Sequence, residues 1–270
     1  MFSVCQGPHD SSLESGPSRP YPRTPMNLEN LARLFVPCPG GTEQQRREQR
    51  ARLLRAALAP VTDDPREWPD DWIVLASRPP NDAAESQAWG TGNVAGAMIP
   101  AGEPLWSGGP PPVVVFPRSP TLSELNDLVG HAGAVVLPEV DEDLLMSSAG
   151  VQDELVLLMR GLDLAEGMRM GACGALAPEA WLAPDLFVEW ALSTEEDPDG
   201  AVRRGRHLQR LLESALEGPA RRNQWNDEQR TAALAFAAGR NRLATAPPVG
   251  IADSTALAEL AVLFTELLRA

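Results

Sequence analysis

Apolar residues near the start of the chain recur at the spacing of an amphipathic helix. The positions i, i+3, i+4 and i+7 are occupied by Leu28, Leu31, Ala32 and Phe35. Pro37 follows this segment and cannot continue a helix, because it has no backbone N–H and its ring clashes with the preceding turn. The pattern predicts a first helix that ends before Pro37.

A second helix is predicted directly afterwards, by its capping residues. Thr42 is followed three residues later by Gln45, which is the spacing of a capping box. Good helix formers, many of them Arg, then continue to Leu58, and Pro60 ends the segment. We expect one helix between Thr42 and Leu58.

The middle third of the chain has a different pattern, since its apolar residues form short β-branched runs bounded by Pro, Gly and Asn. Such runs are typical of strands. The candidate strands are Trp72–Ala76, Val94–Ile99, Val113–Phe116 and Ala134–Leu137.

Two of these strands enclose a capped helix. Thr121 and Glu124 form a second capping-box pattern after Phe116, and Gly130 ends the helix that follows. A strand, a helix and a strand in this order predict a βαβ unit with two parallel, buried strands. This unit spans residues 113–137.

Helical spacing returns after residue 144. The apolar faces are Leu155, Leu158, Met159 and Leu162; Leu208, Leu211, Leu212 and Ala215; and Leu257, Leu260, Ala261, Phe264, Leu267 and Leu268. The predicted fold class is α/β or α+β: a small mixed sheet with one βαβ unit, followed by a mostly helical C-terminal half. The predicted organisation is a disordered tail over residues 1–25, an α/β domain over 26–143, and a helical region over 144–270 that packs on the sheet or forms its own bundle. Met26 is an alternative start to Met1, because it directly precedes the first periodic segment.

Composition excludes one class of chemistry. All 23 residues of the Lys+Arg count are Arg, so the chain has no side-chain amine. Schiff-base catalysis, attachment of pyridoxal phosphate and a P-loop lysine are therefore excluded. Arg codons are GC-rich and Lys codons AT-rich, so the composition fits a high-GC genome.

Charge and apolar content restrict the partners. The net charge of −14 argues against broad binding of nucleic acid, because an acidic surface repels the phosphate backbone. No apolar run approaches the length that crosses a bilayer, and no secretory signal pattern is seen in the first residues. Three Cys of unrelated spacing suggest neither a disulfide framework nor a zinc site. We expect a soluble, cytoplasmic protein without a cofactor.

The ends of the strands in the predicted βαβ unit carry a candidate anion or metal site. Ligands bind beyond the carboxyl ends of parallel strands, and the residues there are Arg118, Ser119, Glu139, Asp141 and Asp143. An Arg beside a helix N-terminus can bind an anion, and carboxylates in the loop 139–143 can bind a divalent cation. In the alternative interpretation Asp141 starts the next helix and the other acids are solvated.

A run of Arg in the second predicted helix is a candidate partner-binding surface. Arg46 and Arg50 share one helix face, and Arg47 lies beside them. Such a face could contact an acidic partner protein, or it could be a solvated face. A different idea pairs Cys38, which precedes the capped helix, with His131 as nucleophile and base.

Two hypotheses for function follow. The first is a non-enzymatic protein–protein interaction module, an adaptor, chaperone-like or regulatory protein, because no catalytic motif is present and His, Tyr and Lys are scarce. The second is a metal-assisted phosphoester or nucleotide-processing enzyme whose site lies near residues 117–121 and 138–143. The proximity of the four side chains Arg118, Glu139, Asp141 and Asp143 discriminates between them.

Overall fold

Eight short parallel strands form a closed barrel in the computed structural model. The structure describes residues 34–56, 58–152, 154–213, 216, 224–239 and 262. The strands are β1 (Leu34–Pro37), β2 (Ala59–Thr62), β3 (Val74–Ala76), β4 (Val94–Pro100), β5 (Pro112–Val115), β6 (Ala134–Leu137), β7 (Val156–Arg160) and β8 (Gly174–Leu176). Each strand pairs with the next along the chain, and the ring closes where Leu34 of β1 faces Ala175 of β8.

The predicted fold class is therefore wrong: the chain does not form a small mixed sheet followed by a helical half. Strands β7 and β8 lie beyond residue 143, so the boundary expected at 143/144 falls inside the barrel. Leu155, Leu158 and Met159 mimic a helical face, but β7 is covered on both sides and its apolar run has no alternation to identify it. Periodicity alone does not separate such a strand from a buried helix.

The strands alternate between two hydrophobic clusters, which gives the barrel an inside and an outside. The inner cluster contains strand residues and one residue beside a strand: Phe35, Ala59, Val61, Leu75, Val113, Ala134, Val136, Leu158 and Cys173. The outer cluster joins the other strand faces to the surrounding helices, for example Val135 and Leu157 to Leu125. Because successive side chains of a strand point to opposite faces, each position can be assigned to the inside or the outside.

The helices surround the barrel unevenly. They are α1 (Glu43–Ala56), α2 (Ala83–Gly90), α3 (Leu122–Leu128), α4 (Glu142–Ser147), α5 (Leu164–Arg169), α6 (Pro184–Ser193), α7 (Pro198–Leu212) and α8 (Asp227–Gly239). A 3₁₀ turn, Pro65–Glu67, replaces a helix between β2 and β3, and a loop over residues 101–111 connects β4 to β5.

Trp181 links the end of the barrel to its first strand. It lies in the 3₁₀ turn Pro178–Trp181 after β8, its side chain is fully buried, and its Nε1 donates to the Pro37 carbonyl at 2.8 Å. Arg52 of α1 donates to the Trp181 carbonyl at 3.1 Å. These contacts connect the last strand, the first strand and the first helix across the closure of the ring.

Local predictions in the middle of the chain are confirmed. Strands β5 and β6 are parallel and joined by α3, whose Thr121 and Glu124 form the expected capping box. Thr42 and Gln45 also cap α1. Phe35, by contrast, lies in β1 and not in a helix, while the residues before 34 and the predicted face from Leu257 to Leu268 lie outside the described residues.

Within the described part of the chain, no helix is long and apolar enough to span a membrane.

Candidate active site

The mouth of the barrel, at the carboxyl ends of the strands, is poor in reactive groups. In barrels of this type the active site is built at this end. In each strand, the position two residues beyond the last inward-facing apolar residue also faces the mouth, which gives eight positions. Five of them are Pro: Pro37, Pro100, Pro117, Pro138 and Pro178. The other three are Asp63, Ser77 and Arg160. Proline has no side-chain donor or acceptor, so these three residues provide the polar chemistry of the inner mouth.

Arg160 is the cation of this inner mouth. It ends β7 on the same face as Val156 and Leu158, which belong to the inner cluster. The residue is half-buried, and its Nε is buried without a hydrogen-bond partner. No carboxylate among the described residues forms an ion pair with it. Buried polar groups are normally satisfied, so an unpaired guanidinium at a barrel mouth indicates a place for an anion.

Two other Arg at the rim differ from Arg160, because each is bound by a glutamate. Arg78, after β3, donates to both carboxylate oxygens of Glu85 at 2.8 and 3.0 Å. Arg118, after β5, makes the same bidentate contact with Glu124 at 2.6 and 3.2 Å. Bidentate pairs of this kind satisfy the guanidinium and fix its orientation.

Asp163 lies in the 3₁₀ turn Gly161–Asp163 that follows β7, at the rim of the mouth. Burial raises the pKa of its carboxyl to about 6, and the negative charges of Glu166 and Glu139 add to the shift, while Arg206 opposes it. Its side chain does not cap α5. A carboxyl group with a pKa close to neutrality can both accept and donate a proton under physiological conditions.

An ion pair between two helices contributes to the charge environment of Asp163, together with Glu139 and Glu213. Arg206 of α7 contacts Glu166 of α5 through Nη2 at 2.5 Å and through Nε at 3.3 Å. Since Glu166 is paired in this way, its repulsion of a charged Asp163 is partly compensated by Arg206.

Glu179 fills the space at the ends of β7 and β8. A Cβ atom built on Gly161 would lie 2.8 and 2.9 Å from the two carboxylate oxygens of Glu179. Gly161 also has a φ of +51°, which disfavours other residues. The glycine therefore permits the close approach of an acidic side chain to the backbone beside Arg160.

Asp63 and Ser77 form a second polar group on the opposite side of the mouth. The Ser77 hydroxyl donates to the Asp63 carboxylate, and both residues are exposed. Strands β3 and β7 are opposite each other in the ring of eight, so Ser77 faces Arg160 across the mouth. Half-buried apolar residues of the inner cluster, Met98, Val115 and Leu176, form the floor between them.

The predicted anion or metal site is only partly assembled. The Ser119 hydroxyl lies 3.3 Å from Oε1 of Glu139, so these two side chains meet. Asp141 instead caps α4 by accepting from the Leu144 N–H at 3.0 Å, and Asp143 is exposed in the first turn of that helix. In the described ranges, no group of three or more His, Cys, Asp or Glu side chains is arranged to bind a metal. A ligand role for these residues stays a prediction, and the arrangement gives no support to the phosphoester enzyme hypothesis.

The Arg residues of α1 line a groove of about 190 Å³ together with Glu43 and Glu67. Arg46 pairs with Glu67 at 3.2 Å, Arg47 contacts Glu43, and Arg50 donates to the Glu67 carbonyl. All three cations thus have partners within the chain, and their contact with an acidic partner stays a prediction.

The hypothesis of a Cys38–His131 pair is wrong. Cys38 follows the end of β1, whereas His131 precedes β6 and so lies at the other end of the barrel. Burial and the nearby Asp63 and Glu67 raise the pKa of the Cys38 thiol far above its usual range. This thiol is protonated at neutral pH and is a poor nucleophile.

Sequence reasoning missed Arg160 and Asp163 because residues 155–162 were interpreted as a helix face. The available signal is a short apolar run, Val156–Met159, that stops at Arg160 and Gly161, which is consistent with a strand covered on both sides but fits a buried helix equally well.

Comparison with known proteins gives a fold likeness but no sequence family. No family model matches the chain, and no curated protein matches it. Among solved structures, it is similar to YagE from E. coli, a prophage protein of the dihydrodipicolinic acid synthase family in complex with pyruvate (13% identity, 87% of this chain, 97% of that chain, TM-score 0.60). It is also similar to a Sulfolobus 2-keto-3-deoxygluconate aldolase in complex with D-KDPG (12%, 87% and 95%, TM-score 0.61). A third similar structure is dihydrodipicolinate synthase from Bacteroides thetaiotaomicron (10%, 88% and 99%, TM-score 0.58).

This likeness overturns the prediction of a non-enzymatic interaction module. That hypothesis rested on the absence of a catalytic motif and on the scarcity of His, Tyr and Lys, whereas the chain forms a closed barrel whose structural neighbours are synthases and aldolases. At 10–13% identity the likeness establishes the fold, and the site must be argued from the chain's own residues.

Proposed function

We propose that this chain is an enzyme that binds a small 2-keto carboxylic acid in the barrel mouth and transfers a proton at the carbon beside its keto group. The observation that carries the proposal is the unpaired, half-buried guanidinium of Arg160 on the inward face of β7. A carboxylate is the anion that matches the planar fork of a guanidinium in two parallel hydrogen bonds.

The ligands of the neighbouring structures support this choice of substrate class. One neighbour is described with pyruvate, and others are aldolases for 2-keto-3-deoxygluconate. Both compounds carry a carboxylate next to a keto group, on a small carbon skeleton. The mouth of this chain offers one cation, an apolar floor and a polar Ser77–Asp63 pair, and this set of groups suits such a molecule.

The chemistry must proceed without a side-chain amine, because the chain contains no lysine. A covalent Schiff base between a side chain and the keto group is therefore not available. Enolisation is the proton-transfer alternative. A base removes a proton from the carbon next to the carbonyl, the C–H electron pair becomes the C=C bond, and the carbonyl oxygen takes the negative charge.

Asp163 is the base in this proposal. With a pKa near 6 it is mostly ionised at pH 7, yet it holds an abstracted proton more readily than an ordinary aspartate. Arg160 keeps the substrate carboxylate in place, and its positive charge also stabilises the enolate. Return of the proton from Asp163 to carbon completes an exchange reaction. In an aldol addition the enolate carbon would instead attack an aldehyde carbon, the C=O electron pair of the aldehyde would move to its oxygen, and that alkoxide would take the proton from Asp163.

The experiment combines binding with exchange. Pyruvate binding is measured by calorimetry, and loss of the methyl proton signal of pyruvate in D₂O is followed by NMR for the wild type, Arg160→Gln and Arg118→Gln. We expect that Arg160→Gln abolishes binding and exchange, and that Arg118→Gln, which changes a guanidinium already paired with Glu124, retains both. Equal pyruvate affinity in the wild type and Arg160→Gln would contradict the proposal.

We further propose that the protein does not bind nucleic acid broadly, which its acidic composition supports, and we propose a cytoplasmic location.

A further inference from the structure

We infer that helices α6 and α7 form a contact surface for a second copy of this chain. In the resulting two-fold dimer, the acidic face of α6 in each copy meets the basic face of α7 in the other copy. This inference does not depend on the proposed enzymatic function. It comes from the exposed side chains of two neighbouring helices and from the partners that these side chains lack.

The exposed face of α7 is basic, although the chain as a whole has a net charge of −14. Four exposed residues share this side of the helix: Arg203, Arg206, His207 and Arg210. Arg206 is bound by Glu166 of α5. In the described part of the chain, the other three form neither an ion pair nor a side-chain hydrogen bond. A basic face, which we define by Arg203, His207 and Arg210, is therefore open to a partner.

The exposed face of the neighbouring helix α6 is acidic. Asp185 and Glu189 lie four residues apart on its exposed side, and Leu192 continues that side with 60% of its surface exposed. Glu196 is exposed in the turn that follows. Asp185 also attracts Arg52 of α1, whereas Glu189 and Glu196 form no ion pair with any described residue. These three acids and Leu192 define the acidic face.

Close packing fixes the two helices beside each other. The indole Nε1 of Trp190 in α6 donates to the Ala201 carbonyl of α7 at 3.1 Å. Nη2 of Arg204 donates to the Ser193 hydroxyl at 3.3 Å. A Cβ atom built on Gly205 would lie 3.0 Å from the Trp190 ring, so the glycine permits this close approach. The acidic and basic faces therefore keep their positions relative to each other.

Two faces of opposite charge, fixed side by side, are complementary to a second copy of themselves. A two-fold axis that runs between the helices places the acidic face of each copy opposite the basic face of the other. Such an interface uses the same surface on both copies and closes at a dimer. An acidic partner of another kind would match α7 and be repelled by α6, whereas a second copy matches both faces at once.

The overall charge of the chain limits the strength of this dimer. Two copies with a net charge of −14 repel each other, but the Debye length is about 8 Å at physiological ionic strength, so the more distant charges are screened. Exposed ion pairs are individually weak, although each one occurs twice across a two-fold axis. Leu192 adds an apolar contact within the acidic face. We therefore expect a weak dimer that dissociates when the facing charges are screened or reversed.

Analytical ultracentrifugation of the full chain tests the inference, at concentrations up to about 100 µM and in about 0.15 M or about 1 M salt. We expect the wild type to dimerise at the lower salt concentration and to associate at least about tenfold more weakly at the higher one. One variant reverses the basic face, Arg203→Glu with Arg210→Glu, and another reverses the acidic face, Glu189→Arg with Glu196→Arg. Each should dimerise at least about tenfold more weakly than the wild type, because attractive contacts become repulsive.

A matched control separates the local contact from the overall charge. Arg66→Glu combined with Arg118→Glu changes the net charge as much as reversal of the basic face does. These two exposed Arg follow β2 and β5 and do not belong to α6 or α7. The control should dimerise like the wild type, and circular dichroism checks that each variant is folded.

Mixing the two face variants gives the sharpest test. Each variant alone presents two faces of one sign and repels its own copies, but the two variants attract each other at both contacts. An equimolar mixture should therefore form heterodimers.

Four results would overturn the inference: a wild type that is monomeric at every concentration, a dimer that persists in either folded face variant, a control that dissociates as much as the face variants, or a mixture that associates no better than its components. If one face variant does not fold, the other one and the control decide between these outcomes.

Discussion

The raised pKa of Asp163 predicts a pH dependence of the free energy of unfolding that does not depend on any substrate. Its pKa is about 6 in the folded chain, against 3.8 for an ordinary aspartate. A raised carboxyl pKa means that the folded state binds the proton more tightly than the unfolded state, so the free energy of unfolding falls as the pH rises between about 4 and 6. Above about pH 6 Asp163 is ionised in the folded state, and the full destabilisation by its buried charge is present.

The magnitude follows from the size of the shift. Roughly two pKa units at about 1.4 kcal/mol each give nearly 3 kcal/mol, and partial exposure of Asp163 reduces this to about 2 kcal/mol. The isosteric change Asp163→Asn removes the buried charge. We expect the variant to be more stable than the wild type by about 2 kcal/mol at pH 7.5 and nearly equal to it at pH 4.

The assay is urea denaturation followed by tryptophan fluorescence over a series from pH 4 to pH 8. The matched control is Asp127→Asn, at an exposed aspartate of α3. The control should shift stability by no more than about 0.5 kcal/mol at any pH. A wild type and Asp163→Asn that differ by the same amount at pH 4 and pH 7.5 would show that Asp163 carries no raised pKa, and it would then not be a suitable base.

Three other variants or treatments give further predictions. Borohydride added with pyruvate should leave no adduct on any side chain, because no lysine is present, and mass spectrometry checks this. A trapped side-chain adduct would refute a mechanism without a side-chain amine. Gly109→Ala should lower the free energy of unfolding by more than about 1 kcal/mol in urea denaturation, since Gly109 has a φ of +76° and a Cβ there would contact Ser86; an unchanged midpoint would contradict this close approach. Trp181→Phe should cost about 2 kcal/mol or more, through the lost hydrogen bond to Pro37 and a cavity at the closure of the ring, and a thermal midpoint within one degree of the wild type would contradict that role.

Sequence reasoning succeeded where the structure is decided locally. The capping boxes at Thr42 and Thr121 need only residues three positions apart, and both are formed. The βαβ unit was identifiable because β-branched runs flank a short capped helix, and β5 and β6 are parallel as expected. These features depend on neighbouring residues and not on the rest of the fold.

Closure of the barrel could not be predicted in the same way. Strands β2 and β8 have four and three residues, include Pro60 or Gly174, and were not distinguishable from loops by periodicity. Their strand conformation is imposed by pairing with neighbours on both sides, as β2 does with β1 and β3. A ring of eight such strands is a tertiary property.

The candidate site was missed for a related reason. Arg160 can be placed at the barrel mouth only if β7 is known to be a strand whose inward face ends there. The sequence over 155–162 also fits a helix, so this placement could not be predicted. The acidic residues after β6 were noticed, but Asp141 proved to be a helix cap, and Glu139 contributes to the shifted pKa of Asp163. Sequence alone located one part of the rim and not the cation at its centre.

A crystal structure of the chain soaked with pyruvate tests the central claim most directly. The account predicts that the pyruvate carboxylate lies within about 3 Å of the Arg160 guanidinium nitrogens, above the floor formed by Met98, Val115 and Leu176, without a covalent bond to the protein. Pyruvate bound elsewhere, or an Arg160 engaged by a carboxylate of the protein itself while the mouth stays without pyruvate, would contradict it.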